Sequence, residues 1–146
     1  MRILTTLEED AQAALKKSMG NPKVTIKSPA NGSRVDHKVP LDGTVEHFPI
    51  NMELWVVNRV SGSYHPDDGP IVPEGKIWNS FAYVGNSAPG SDSGTTFTIH
   101  IVEVSHDTGE KIFKRYLNNA HQTGNWSGIS TIGEGKIVAT VSVTRN

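Results

Sequence analysis

The sequence predicts a mainly β protein, an antiparallel β-sandwich of about six to eight strands. A crossover helix should precede the last strand, and a separate helix should lie at the N-terminus. Two observations predict this class. Short segments alternate apolar and polar residues, and turn residues separate them, with 14 glycines and 8 prolines among 146 residues. The two long interruptions of this alternation have the spacing of helices.

Length and charge exclude several classes of protein. A chain of 146 residues fits one domain with a real core. Its 14 Lys and Arg balance 15 Asp and Glu, which argues against a nucleic-acid binder. The chain has no cysteine, so a disulfide scaffold and a Cys-ligated zinc site are excluded. No apolar run approaches a membrane span, and no signal peptide is visible. We therefore expect a cytoplasmic location, unless the chain belongs to a larger or separately exported protein.

Residues 1–20 form a predicted N-terminal amphipathic helix, and residues 21–146 form the predicted β domain. Two threonines at 5 and 6 each precede a glutamate by three residues, which gives two overlapping capping boxes. Gly20 and Pro22 end the pattern. The apolar stripe is narrow, so the helix should be marginal alone and should dock on its own domain, on a second copy or on a partner. The stripe residues, and thus the expected partner-binding residues, are Leu4, Leu7, Ala11 and Leu15.

Six segments have strand patterns. Most of them alternate, whereas 52–58 is apolar on both faces and should be central. The Pro- and Gly-rich stretch 61–76 is expected to be a long loop with a short edge strand at 71–72. The predicted strands are 23–27, 35–45, 52–58, 77–85, 96–104 and 136–143.

One segment between the last two long strands has helical spacing. Ile112, Phe113, Tyr116 and Leu117 form a single apolar face. Asp107 is the expected N-cap with Glu110 three residues later, and Gly124 is the expected stop. A helix of about 12 residues should therefore cover one end of the sandwich.

Seven sequence pieces, in this order, are similar to a bacterial immunoglobulin-like or fibronectin-like module. In such a module an opening SPxxGxxV turn is followed by GT, a Trp-bearing strand and a WxxxxxxG strand. The resemblance covers about residues 23–145 and implies an Ig-like fold and a non-catalytic accessory role. The helix at 107–124 and the missing cysteine pair depart from the plain module. The pieces are VTIKSPANGSRV (24–35), LDGTV (41–45), ELWVV (53–57), YHPDDGP (64–70), WNSFAYVG (78–85), FTIHIV (97–102) and VSVTR (141–145).

Catalytic and metal motifs are missing from the sequence. The six histidines form no HxH or HExxH pair, although His100, His106 and His121 could converge through folding. No GxSxG is present, and Asp67 with Asp68 lies in a turn-rich stretch where adjacent acids usually only face solvent. Calcium binding through these two residues and Asp92 is a weaker alternative, because the regular Asp spacing of a calcium loop is missing. We expect no enzyme, no metal and no cofactor.

The aromatic residues carry the best functional hint. Trp55 and Trp78 lie in predicted strands and should fill the core. Tyr64 and Trp126 lie in predicted loops and are candidates for exposure, where rings beside polar groups could stack on a sugar. Alternatively, Trp126 only pins its loop to the domain. The candidate ligand-binding residues are Tyr64, His65, Asp67, Asp68 and Trp126.

These observations lead to two functional hypotheses. The first is a non-catalytic binding or assembly module that acts through protein–protein contacts or self-association. The second is a carbohydrate-binding module that uses exposed loop aromatics. Exposure of both Tyr64 and Trp126 on one surface would favour the second.

Overall fold

The computed structural model describes residues 22–48, 50–88 and 90–146. The predicted N-terminal helix, with Leu4, Leu7, Ala11 and Leu15, lies outside the described residues. Eight strands account for most of the regular structure within them. The strands are β1 (Lys23–Ser28), β2 (Ser33–Val35), β3 (Lys38–Glu46), β4 (Met52–Val60), β5 (Ser63–Asp68), β6 (Ile77–Tyr83), β7 (Thr96–Ser105) and β8 (Lys136–Arg145).

The strands form two sheets. One has three antiparallel strands in the order β1-β3-β6, and the other has five in the order β2-β8-β7-β4-β5. The short β2 runs parallel to β8, and every other pair is antiparallel. The prediction of a mainly β protein is confirmed.

One hydrophobic cluster takes side chains from both sheets. Strand alternation explains it, because every second residue of each strand points to the same side. Leu41 of β3 and Trp78 of β6 meet Val56 of β4 and Ile99 of β7 in this cluster, and all four are 2% exposed or less. The predicted core position of Trp78 is confirmed.

A second cluster lies on the opposite face of the five-stranded sheet. Trp55 and Val102 point to this face, where Phe113 of the crossover segment covers them, and all three are fully buried. The Phe113 ring meets Trp55 edge-on, with centroids 5.3 Å apart. Packing of the predicted apolar face is confirmed, but its place is corrected. The helix lies on a sheet face rather than at one end, because β4 is apolar on both sides.

The crossover segment begins earlier than the sequence predicts. It consists of α1 (His106–Thr108), a π-helical turn (Gly109–Lys114) and α2 (Arg115–Thr123). Ser105, not Asp107, is the N-cap, since its hydroxyl accepts the Thr108 N–H at 3.2 Å. β7 runs directly into the helix, so the cap is the last strand residue. The predicted stop is confirmed, because Gly124 takes a left-handed φ of 73°.

The stretch 61–76 contains a strand that the sequence analysis missed. Val60 pairs with Ser63, so a two-residue turn joins β4 to β5. Ser61 and Gly62 both have positive φ, 51° and 80°, as a type I′ hairpin turn requires. Pro66 fits β5 because this strand is at the sheet edge. The predicted short strand at 71–72 is wrong, since neither residue is in a strand.

Candidate functional site

A cavity of about 670 Å³ opens where β4, β5, the end of β6 and α2 meet. Both sheets and the helix contribute side chains to it, so only the folded domain assembles it. Its polar and aromatic lining includes His37, Asn58, His65, Asp67, Asp68, Tyr83, Asn86, Tyr116, His121 and Trp126.

A β-bulge positions the acidic side of the cavity. Val56 pairs with Asp68 and Val57 pairs with Pro66, so Asp67 is an extra residue in β5. A bulge re-aims the side chain of its extra residue, and here the Asp67 carboxylate meets the amide of buried Asn58. The amide nitrogen lies 2.8 and 3.0 Å from the two carboxylate oxygens.

Burial raises the pKa of Asp67 well above its ordinary value. The hydrogen bond from Asn58 opposes this shift, whereas the negative charge of neighbouring Asp68 adds to it. Asp68 itself is exposed and accepts a hydrogen bond from the Ser80 hydroxyl at 2.5 Å. The two adjacent acids therefore differ, since Asp67 is partly buried and more easily protonated while Asp68 is exposed.

Two further titratable side chains favour their neutral forms. Burial lowers the pKa of His65, which disfavours the imidazolium. Burial also raises the pKa of Tyr116, and the negative charge of Asp67 adds to this effect. The Tyr116 oxygen accepts the Gly128 N–H at 3.0 Å, so the phenol proton remains available to donate. The cavity thus presents neutral donors and acceptors beside its carboxylates.

Gly128 allows the segment after the helix to close over β5. Its φ is 86°, a conformation that favours glycine. A Cβ there would come within 2.8 Å of the His65 ring and 2.9 Å of the Tyr64 carbonyl oxygen. The close approach is fixed by two backbone hydrogen bonds of 2.8 Å between Tyr64 and Ile129. This contact brings Trp126 to the edge of the cavity.

Aromatic rings line the mouth of the cavity. Trp126 is 48% exposed and stands edge-on to His121, with ring centroids 4.9 Å apart. Tyr83 is 41% exposed and tilts against His37 at 5.7 Å. Two part-exposed rings therefore flank an opening whose walls are largely apolar and carry several polar side chains.

The structure brings together four of the five candidate ligand-binding residues. His65, Asp67, Asp68 and Trp126 all line the cavity. Tyr64 does not, because its side chain points to the helix-covered face, where the Arg59 guanidinium lies 5.0 Å from its ring centre. Tyr64 is partly buried, so the exposed aromatic partner of Trp126 at the cavity is Tyr83 instead.

Sequence reasoning missed Asn58 and Tyr116. Asn58 follows Leu54 and Val56 at alternate, inward positions of β4, and a polar residue there is a signal for a buried hydrogen-bonding partner. The spacing of Tyr116 predicts only a position on the apolar helix face. The contact of its hydroxyl with the Gly128 N–H depends on the turn after the helix, for which the local sequence gives no signal.

The metal alternatives weighed from the sequence do not form a site. His100 is buried against the Thr140 hydroxyl at 2.9 Å, whereas His121 lies at the cavity mouth. The Asp92 carboxylate accepts the Asn86 N–H instead of joining Asp67 and Asp68. A different group with possible ligand atoms, Glu53, His106 and Glu110, does converge within the described chain.

Comparison with known proteins gives no family assignment. No protein-family model matches the sequence, and the curated proteins include no significant match. Among the described residues, no helix is long and apolar enough to cross a membrane.

Proposed function

We propose that the chain is a non-catalytic binding module built on an immunoglobulin-like β-sandwich. The hydrophobic cluster shared by both sheets supports the sandwich arrangement. The sequence similarity to immunoglobulin-like modules supports the type of fold. In this proposal the five-stranded sheet is the middle layer, with the second sheet on one side and the helix on the other.

We propose further that the cavity binds a carbohydrate. The part-exposed Trp126 ring, beside a cavity that combines apolar walls with several polar side chains, is the observation that carries this proposal. An indole can stack on the apolar face of a sugar ring, while polar groups deeper in the cavity bind its hydroxyls. The Asp67 carboxyl and the Tyr116 hydroxyl are placed to make such hydrogen bonds.

The charges of the cavity narrow the class of sugar. The described residues that line it include no lysine and no arginine, whereas Asp67 and Asp68 both do line it. An anionic sugar would meet like charge without a compensating cation. A neutral or amine-bearing sugar avoids this cost, so it is the proposed ligand class.

A glycan array followed by calorimetric titration tests this proposal. Trp126→Ala removes the stacking ring and should weaken binding of any neutral or amine-bearing glycan that scores on the array at least about 10-fold. Phe81→Ala is the matched control. Phe81 is 38% exposed but lies against Lys38 rather than in the cavity, so this variant should bind like the wild type.

Tryptophan fluorescence supplies a second readout. Trp55 and Trp78 are 0% and 1% exposed, so a ligand in the cavity should perturb chiefly Trp126. A glycan that binds without changing the fluorescence would place the site elsewhere. The proposal is wrong if no neutral or amine-bearing glycan binds, or if Trp126→Ala binds it as tightly as wild type.

A further inference from the structure

Three side chains with metal-ligating atoms converge on the helix-covered side of the domain, away from the cavity lining. They are Glu53 of β4, His106 of α1 and Glu110 of the π-helical turn. One possible ligand atom from each lies within 4.8 Å of the others. The closest approach joins His106 Nδ1 to Glu53 Oε2 at 2.6 Å.

Glu53 is held in place by its surroundings. It is 7% exposed, and its second oxygen accepts the Trp55 indole N–H at 2.9 Å. Such a hydrogen bond from an outer neighbour is the arrangement that orients carboxylate ligands in metal sites. The remaining oxygen points toward His106, so the buried carboxylate is oriented before any ion arrives.

The helix backbone leaves room for this carboxylate. A Cβ on Gly109 would overlap Glu53 Oε1, so the helix passes over Glu53 only because residue 109 lacks a side chain. Gly109 also begins the π-helical turn. Such turns occur frequently at functional sites, and this one carries Glu110.

A cationic side chain already pairs with Glu110. Lys114 Nζ is 2.6 Å from Glu110 Oε1, and the charge of Glu53 also acts on this ammonium. The Lys114 side chain is 42% exposed, so it can swing into solvent without leaving a buried charge. The carboxylates therefore supply negative charge for a cation, and the Lys114 ammonium can leave when another cation binds.

We propose that Glu53, His106 and Glu110 bind one divalent transition-metal ion of the zinc class, which displaces the Lys114 ammonium. One imidazole and two carboxylates are ligands that zinc accepts, with water completing the coordination. Replacing the 2.6 Å contact by an ion requires His106 and Glu53 to separate by about 1 Å. The exposed His106 side chain makes that movement possible. This metal site does not depend on sugar binding at the cavity. It differs from the expectation, drawn from the sequence alone, that the protein binds no metal.

Calorimetric titration of ZnCl₂ into the full chain tests this site. We expect one Zn²⁺ to bind per chain, and His106→Asn should weaken binding by about 10-fold or more. Lys114→Gln should bind more tightly than wild type, since the competing cation is gone. His47→Asn is the matched control, because His47 is an exposed histidine with φ 57° and asparagine tolerates that conformation.

Each outcome decides the proposal. Weaker binding in His106→Asn, tighter binding in Lys114→Gln and no change in His47→Asn would support it. If wild type and His106→Asn bind Zn²⁺ equally, any bound ion is held only by scattered surface groups and the proposed site is wrong. If Lys114→Gln binds Zn²⁺ no more tightly than wild type, the proposed displacement of the Lys114 ammonium is wrong. Circular dichroism of each variant confirms that the fold is intact, and both His106 and Lys114 are exposed enough for this to be expected.

Discussion

The amide nitrogen of Asn58 donates to both carboxylate oxygens of Asp67, at 3.0 and 2.8 Å, and also to the Tyr83 carbonyl oxygen at 3.0 Å. One buried amide thus ties the bulge of β5 to the end of β6. Because these two strands belong to different sheets, the contact fixes the wall of the cavity as well as its acidic group.

The raised pKa of Asp67 predicts a pH-dependent stability. The folded state binds the Asp67 proton more tightly than the unfolded chain does, so this group lowers the free energy of unfolding as pH rises from about 4 to its raised pKa. Asp67→Asn cannot ionise and should lose this decline. Urea denaturation at several pH values measures it as the difference between variant and wild type.

Asp42→Asn is the control for that experiment. Asp42 is an exposed residue of β3, so its replacement should leave the pH profile of stability parallel to that of wild type. The assignment of the decline to Asp67 fails if Asp67→Asn and wild type differ by the same amount at every pH.

Phe113 should be the main anchor of the helix on the sheet. Its side chain is fully buried and packs edge-on against Trp55. Phe113→Ala should lower the free energy of unfolding by about 3–5 kcal/mol, because a cavity remains between helix and sheet. Lys111→Ala, on the exposed side of the same turn, should change it by less than about 0.5 kcal/mol. A loss below about 1 kcal/mol for Phe113→Ala would contradict the packing.

Gly109→Ala should destabilise the protein although alanine normally favours a helix by about 1 kcal/mol. The new methyl group would overlap the Glu53 carboxylate and lie 3.0 Å from the Trp55 indole nitrogen. Overpacking of this kind costs about 1–3 kcal/mol. Chemical denaturation measures the loss, and Glu53→Ala supplies the matched background. If the carboxylate is the obstacle, Gly109→Ala should cost less in that background.

Local patterns predicted the regular parts of this fold. Alternation placed β6 and β7 within two residues, and the spacing of Phe113 and its neighbours identified the helix face. The predicted strand 35–45 is divided between β2 and β3, which belong to different sheets. These features are predictable because burial of one face repeats at the period of the element itself. The missed strand β5 shows the limit. The prolines and glycines of the stretch 61–76 resemble a loop, and only the pairing with β4 reveals a two-residue turn and an edge strand.

The site was less predictable than the fold. His65, Asp67 and Asp68 are neighbours in sequence, so their joint presence needs no tertiary information. Their meeting with Trp126 depends on the helix crossing the sheet and on Gly128 closing over β5. The bulge at Asp67 depends on strand register, which no local pattern specifies. The convergence of Glu53 with His106 could not be predicted either, because it depends on tertiary structure that brings together residues 53 positions apart.

Residues 1–20 have the sequence of an amphipathic helix that is expected to contact its own domain, a second copy or a partner. The strand pattern of the β domain begins at Lys23, after a break at Gly20 and Pro22. A chain of residues 21–146 should therefore keep a cooperative thermal transition. A truncated chain without one would show that the first 20 residues are needed for folding.

Light scattering then separates the possible contacts of that helix. In the full-length protein, Leu7→Glu with Leu15→Glu should lower the molar mass of the particle in solution, because charge would be placed in an apolar contact between copies. The melting transition should stay unchanged. Lys16→Glu with Lys17→Glu is the control, since these residues lie outside the apolar stripe. An unchanged mass with a lower melting temperature would instead indicate docking on the β domain. A wild-type monomer whose double variant melts normally would exclude both contacts, so that the stripe would be left for a different protein partner.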